Sequence, residues 1–174
     1  MPKPSASLAD RGHVWVVAQS LLLLAVILLG VLRPGDGTRA ELILTGTVLF
    51  LVGGVFGVAG VLVLGRNRTP FPKPRENSNL VQHGIYARVR HPLYTGVMLS
   101  SLGWAMIWQS AAAAVAALML IPFLLAKARH EERWLRIQFP GYAEYARRVP
   151  AFLPGIRFKK TSGLRRSTPN RTRP

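Results

Sequence analysis

AELILTGTVLFLVGGVFGVAGVLVL, residues 40–64, carries one charge, Glu41, at its beginning and then runs apolar to its end. As a helix at 1.5 Å per residue it reaches about 37 Å, enough to cross a hydrocarbon core of about 30 Å. In lipid the backbone must satisfy its own hydrogen bonds, so the segment reads as a transmembrane helix. The pair Gly53 and Gly57 forms a GxxxG element that permits close helix approach. A phosphate-cradling loop would have to follow a strand, and no strand precedes these glycines.

The same reading extends outward. Residues 14–32 are Leu-rich and uncharged, and Val31-Leu32-Arg33-Pro34 lacks the small residues of a signal cleavage site, so this segment reads as a retained span. Arg33 to Arg39 is a turn built on Pro34, Gly35 and Gly37. A third span is expected over 92–109, opened by Pro92, with Gly96, Ser100 and Gly103 on one face. A short turn at Gln109-Ser110 leads to a fourth span over 111–126. It is kinked at Pro122 and continues as a helix beyond the membrane through Phe139. Trp104 and Trp108 read as interface anchors near the outer surface. The fold class is all-α: a polytopic membrane helix bundle of about four transmembrane helices with a cytoplasmic C-terminal helical segment. Residues 1–156 form the membrane-embedded domain and 157–174 a basic, disordered tail.

Charge fixes the expected orientation. The chain has 23 Lys plus Arg against 7 Asp plus Glu, and of the 23 only Arg33 and Arg39 fall in the outer loops. The positive-inside rule then places both termini in the cytoplasm. Basic residues that flank spans suit anionic lipid head groups, at about 1 kcal/mol each near the surface, better than nucleic acid. The chain has no cysteine, which removes disulfides, thiolate nucleophiles and Cys metal sites.

Two polar blocks carry the candidate chemistry. The first, His83 to Gly96, reads HGIYARVRHPLYTG. His91 precedes the proline that starts a helix, so Arg90, His91 and the helix start form a ready anion site. The bland alternative is a basic interfacial collar with Tyr86 and Tyr94 as belt residues. The second block, Arg129 to Tyr145, reads RHEERWLRIQFPGYAEY. Adjacent residues point about 100° apart on a helix, so only one of Glu131 and Glu132 faces a given pocket squarely. Ordinary pairing, Glu132 with Arg136 and Lys127 with Glu131, is the competing reading. His13, His83, His91 and His130 show no metal-ligand spacing.

Taken in order, Gly84-Ile85-Tyr86, Arg90-His91-Pro92-Leu93-Tyr94-Thr95-Gly96, a hydrophobic hairpin, then Glu131-Glu132 with Leu135, Phe139, Tyr142 and Tyr145, and finally Val149-Pro150 and Pro154 resemble the isoprenylcysteine carboxyl methyltransferases. That family is similar in turn to the phospholipid N-methyltransferases. The resemblance covers about residues 80–156 and decides against both bland readings. It implies S-adenosylmethionine as cofactor and a lipophilic acceptor that enters from the bilayer, without a Rossmann domain. The implied cofactor-binding residues are Gly84, Tyr86, Arg90, His91, Pro92, Tyr94, Gly96, Glu131, Glu132, Tyr142 and Tyr145. Arg88 or Arg147 would orient a carboxylate acceptor, and Glu131, Glu132 or His130 would take a proton from an amine. Pro122 is expected to open a lateral gap between the third and fourth spans. The competing functions are an NADPH-dependent reductase resembling the sterol reductases and a non-enzymatic membrane assembly or lipid-binding protein.

Overall fold

Five α-helices are present in a computed structural model that describes residues 12–67, 69, 71 and 78–154. They are α1 (His13–Leu32), α2 (Ala40–Leu64), α3 (Pro92–Ile107), α4 (Ala111–Gln138) and α5 (Tyr142–Arg148), and no strand occurs among the described residues. The expected tail, 157–174, lies outside the described residues.

α1, α2 with its 3-10 extension to Asn67, and α4 are each long and apolar enough to cross a membrane. The sequence suggests four spans, but α3 has 16 residues and reaches only about 24 Å. It stops at Ile107, because Gln109 turns to a positive φ of 50° and Ser110 caps the next helix by accepting from the amide of Ala113. α4 runs unbroken through Pro122. Its 28 residues reach about 42 Å, so its polar end projects past the apolar stretch 111–126.

α2 and α3 form the most extensive helix pair. The face of α2 that meets α3 is a heptad of glycines, Gly46, Gly53 and Gly60, all buried. A Cβ on Gly53 would meet the Ser100 amide at 2.6 Å and the Gly96 carbonyl oxygen at 2.7 Å. A Cβ on Gly103 would lie 2.5 Å from the Gly46 carbonyl oxygen. Backbones at that distance admit no side chain, which makes small residues the packing surface where lipid supplies no hydrophobic drive. Gly53 thus works with residues seven positions away, while the Cβ position of its GxxxG partner Gly57 meets nothing within 4 Å.

α4 packs more extensively on α1 than on α3, and its buried Ala113, Ala116, Ala117, Leu120 and Leu124 form a stripe of helical period, with Ala116 and Ala117 clustered with Val26 of α1 and with Leu102 and Trp104 of α3. Near the loop side of the bundle, Ser110 donates to the Leu29 carbonyl at 3.0 Å and the Gly35 amide donates to the Trp108 carbonyl at 2.9 Å. Trp104 is half-buried at this end, its Nε1 3.4 Å from the Ile27 carbonyl and its ring between Phe50 and Trp108. It links α1 to α3 through its hydrogen bond to Ile27.

Candidate functional site

At the opposite end of the bundle, the segment before α3, the polar end of α4, and α5 with the residues after it converge. Gly84, at φ 59°, opens a 3-10 turn over Gly84–Ala87, and a Cβ there would strike Val63 at 2.8 Å. Only glycine lets the turn close on the end of α2. The chain after α5 returns to α3: the amides of Arg90 and His91 donate to the carbonyls of Pro150 and Ala151, each at 2.9 Å. The Thr95 hydroxyl donates to the Phe152 carbonyl at 2.9 Å, and Phe152 stacks on the ring of His91. The Arg90 and His91 amides are thereby committed to structure, which leaves Leu93 and Tyr94 as the amide donors of the helix start.

Arg90 is the knot of this region. Its Nε and Nη2 lie 3.0 and 2.7 Å from Glu132 Oε1, and its Nη1 donates to the carbonyls of Ala146 and Val149. His91 Nε2 is 3.2 Å from the same Glu132 oxygen, and Arg136 closes a longer pair at 3.8 Å. Glu132 therefore ties α4 to the start of α3 and, through Arg90, to α5.

Glu131 points elsewhere. It continues the stripe Leu120, Leu124, Lys127, and its Oε2 accepts from the Tyr94 hydroxyl at 2.8 Å. It forms part of the wall of a cavity of about 390 Å³, a size typical of small-molecule sites. Tyr86, Arg90, His91, Tyr94, Tyr142 and Tyr145 also line it.

Gly84, Arg88, Pro92, Gly96, Glu132 and Arg147 are not in that wall. Arg88 and Arg147 are exposed, turned to solvent by the phase of the 3-10 turn and of α5. Pro92 packs against the Gly60 position and Gly96 against Gly53, so both serve the α2–α3 contact. His130 faces α1: its ring stacks on Trp15, and its Nε2 accepts from Trp134.

The cavity wall also includes Gln19 of α1, which the sequence did not point to, and Lys127 of α4, expected there only as a helix partner of Glu131. Lys127 is 3% exposed, donates to Gln19 Oε1 at 2.6 Å, and sits 5.5 Å above the Tyr94 ring. A polar or ionisable residue at the edge of an apolar span is a functional signal in itself, and it marks both positions.

Burial, reinforced by the charge of Glu131 and by Tyr145, raises the Tyr86 phenol well above its ordinary range. Burial and Glu132 do the same for Tyr142 against the opposing pull of Arg90. Burial pushes Tyr145 up to about 12, again with Arg90 opposing and Glu132 adding. All three stay neutral at physiological pH, so they offer hydroxyl donors and ring faces but no phenolate base. The Tyr145 hydroxyl donates to the Tyr86 carbonyl at 2.7 Å. The Tyr142 hydroxyl, in a residue 1% exposed, makes no hydrogen bond of proper length and angle, although Glu132 is near enough to act on its proton. Among the described residues no three His, Asp or Glu side chains converge to hold a metal ion.

These elements match known proteins over most of their length. A family model for phospholipid methyltransferases matches residues 42–141. The chain is 38% identical over 149 residues to the cobalt-zinc-cadmium resistance protein CzcN of Cupriavidus metallidurans, covering 84% of this chain and 64% of that protein. It is 32% identical over 116 residues to protein-S-isoprenylcysteine O-methyltransferase B of Arabidopsis thaliana, covering 64% of this chain and 58% of the plant protein. With form A of the same plant the identity is 31% over 147 residues, covering 82% and 74% respectively. The chain spans less than two thirds of the length of the first two relatives.

Proposed function

Since the chain belongs to the phospholipid methyltransferase family, we propose that it transfers a methyl group from S-adenosylmethionine to a lipophilic acceptor, at the cytoplasmic face of the membrane. The observation that carries this reading is the ionisable wall of the 390 Å³ cavity. There Glu131 and Lys127, one turn apart on α4, flank Tyr94 at the edge of the apolar bundle.

The residues present fit the cofactor. Glu131 supplies an anion for its amino group. Lys127 and the amides of Leu93 and Tyr94 supply positive ends for its carboxylate. The faces of Tyr86, Tyr94 and Tyr142 attract a sulfonium. Bound there, the cofactor contributes an activated methyl group on positively charged sulfur.

The chain's own work is alignment and exclusion of water. The Glu132–Arg90–His91 cluster fixes the start of α3 against α4 and α5, and so fixes the distance between Tyr94 and Glu131. A carboxylate acceptor needs no base. The excess of basic residues on this side of the bundle favours a cytoplasmic site and contact with anionic lipid head groups.

Calorimetric titration of S-adenosylmethionine into detergent-purified protein tests the reading. Micromolar binding that Glu131→Gln weakens supports it. Folded protein that gives no heat, followed by heat on titration with NADPH, moves the function to a membrane reductase.

A further inference from the structure

Gln19 sits in α1, a helix whose other residues are apolar apart from His13 and Ser20. Its neighbours on the same face hold it against α4. Trp15, four residues before it, packs on Phe123 and stacks on His130, with ring centroids 5.3 and 5.7 Å apart. Val26, seven residues after it, is buried against Ala116 and Ala117. Between these two contacts Gln19 meets Lys127, whose Nζ donates to Gln19 Oε1 at 2.6 Å. An ammonium group only donates, so the amide must present its oxygen there.

An amide holds the ammonium differently from a carboxylate. Lys127 precedes Glu131 by one turn of α4, and an acid at that spacing is the ordinary helix partner of a lysine. A carboxylate partner would cancel the charge of the ammonium. A neutral amide oxygen fixes its place and leaves the charge for another anion. Tyr94 contacts both charged groups: its ring centre lies 5.5 Å from Lys127 Nζ, and its hydroxyl donates to Glu131 at 2.8 Å. Each charge is held by a neutral group, which suits a ligand that carries a carboxylate and an ammonium on one carbon.

Resting on the methyltransferase reading above, we infer that Gln19 is a positioning residue, which acts through Lys127 by aiming its ammonium at the place of the cofactor's carboxylate. This makes α1 part of the cofactor site, although the match to the family model begins only at residue 42.

The test is calorimetry on the full chain in lipid nanodiscs with two ligands. They are S-adenosylmethionine and its decarboxylated analogue, which lacks the carboxylate and keeps the amine, the sulfonium and the adenosine. The proteins are wild type, Gln19→Leu, Gln19→Met, Lys127→Met and the double variant Gln19→Leu, Lys127→Met. Wild type is expected to prefer S-adenosylmethionine by at least about tenfold, the range of a hydrogen bond to a charged group. Both Gln19 variants should weaken S-adenosylmethionine binding by about fivefold, and bind the analogue within about twofold of wild type. Lys127→Met should abolish the preference, and adding Gln19→Leu to it should cost nothing further. A Gln19 that merely packs α1 on α4 would lower both affinities together, or lower S-adenosylmethionine affinity equally with and without Lys127. Either result, or unchanged affinities in both Gln19 variants, overturns the positioning role. Wild type that binds both ligands equally overturns the carboxylate contact and this inference, while the cofactor reading stands. Folded wild type that binds neither ligand overturns that reading and this inference together.

Discussion

Glu132 Oε1 lies 2.7 Å from Arg90 Nη2, with the two side chains only 17% and 13% exposed. This pair joins residues 42 positions apart in the chain, and the carbonyls of Ala146 and Val149 complete the shell of the guanidinium. Removing one partner of such a pair leaves a partly buried charge uncompensated, at a cost of about 3 kcal/mol. Glu132→Ala is therefore expected to lower the midpoint of thermal unfolding by roughly 6–12 °C for a chain of this size. Arg90→Lys is expected to follow it, because a lysine cannot reproduce the fork. A midpoint within 2 °C of wild type in both variants would refute the structural role.

Glu131→Gln has the opposite profile. The side chain faces the cavity, accepts from the Tyr94 hydroxyl and lies 3.9 Å from His91 Nδ1, and it carries none of the Arg90 contacts that tie α4 to α5, so its loss leaves the fold in place. A hydrogen bond to a charged group contributes about 1.5–3 kcal/mol, which predicts at least a tenfold loss of S-adenosylmethionine affinity. Arg88→Ala and Arg147→Ala, both at exposed positions, should bind it within twofold of wild type. Calorimetry on the three variants separates cavity residues from their exposed neighbours, and equal losses in all three would argue against the assigned cavity.

The glycines of α2 divide by what a Cβ would meet. Gly53→Ala places a methyl group on the backbone of α3 and should destabilise the bundle by about 1–3 kcal/mol. Gly54→Ala, with open space at the same depth, should be neutral or stabilising by up to about 1 kcal/mol. Thermal midpoints of the two variants in one detergent give the comparison, and an equal drop in both would remove the distinction.

Because the chain has no cysteine, single substitutions report orientation cleanly. Asp36→Cys, in the loop between α1 and α2, is expected to react with a membrane-impermeant maleimide added outside intact cells. Gln82→Cys, exposed near the cavity, is expected to react only after lysis. The reverse pattern would put the site on the outer face.

Much of this arrangement is legible in the residues themselves. Lipid demands about twenty apolar residues per span, so hydropathy places α1, α2 and α4 nearly to the residue. The order of the Arg90-His91-Pro92 and Glu131-Glu132 blocks, with the tyrosines after them, points to the family. Periodicity alone could also have put Lys127 and Glu131 on the buried stripe of Leu120 and Leu124, and Gly46, Gly53 and Gly60 on one heptad.

Tertiary structure decided the rest. Two adjacent glutamates are equivalent in sequence, and only the crossing of α3 and α4 gives Glu132 to Arg90 and Glu131 to Tyr94. Arg88 and Arg147 are as basic as Arg90, but the phase of a short turn and a short helix sends them to solvent. Gln19 enters the site from α1, more than a hundred residues away from Lys127, by a contact that no local pattern encodes. Local sequence specifies which helices form and which face of each is apolar. Where a polar side chain ends depends on the neighbours its helix meets, and those are fixed by packing between distant segments.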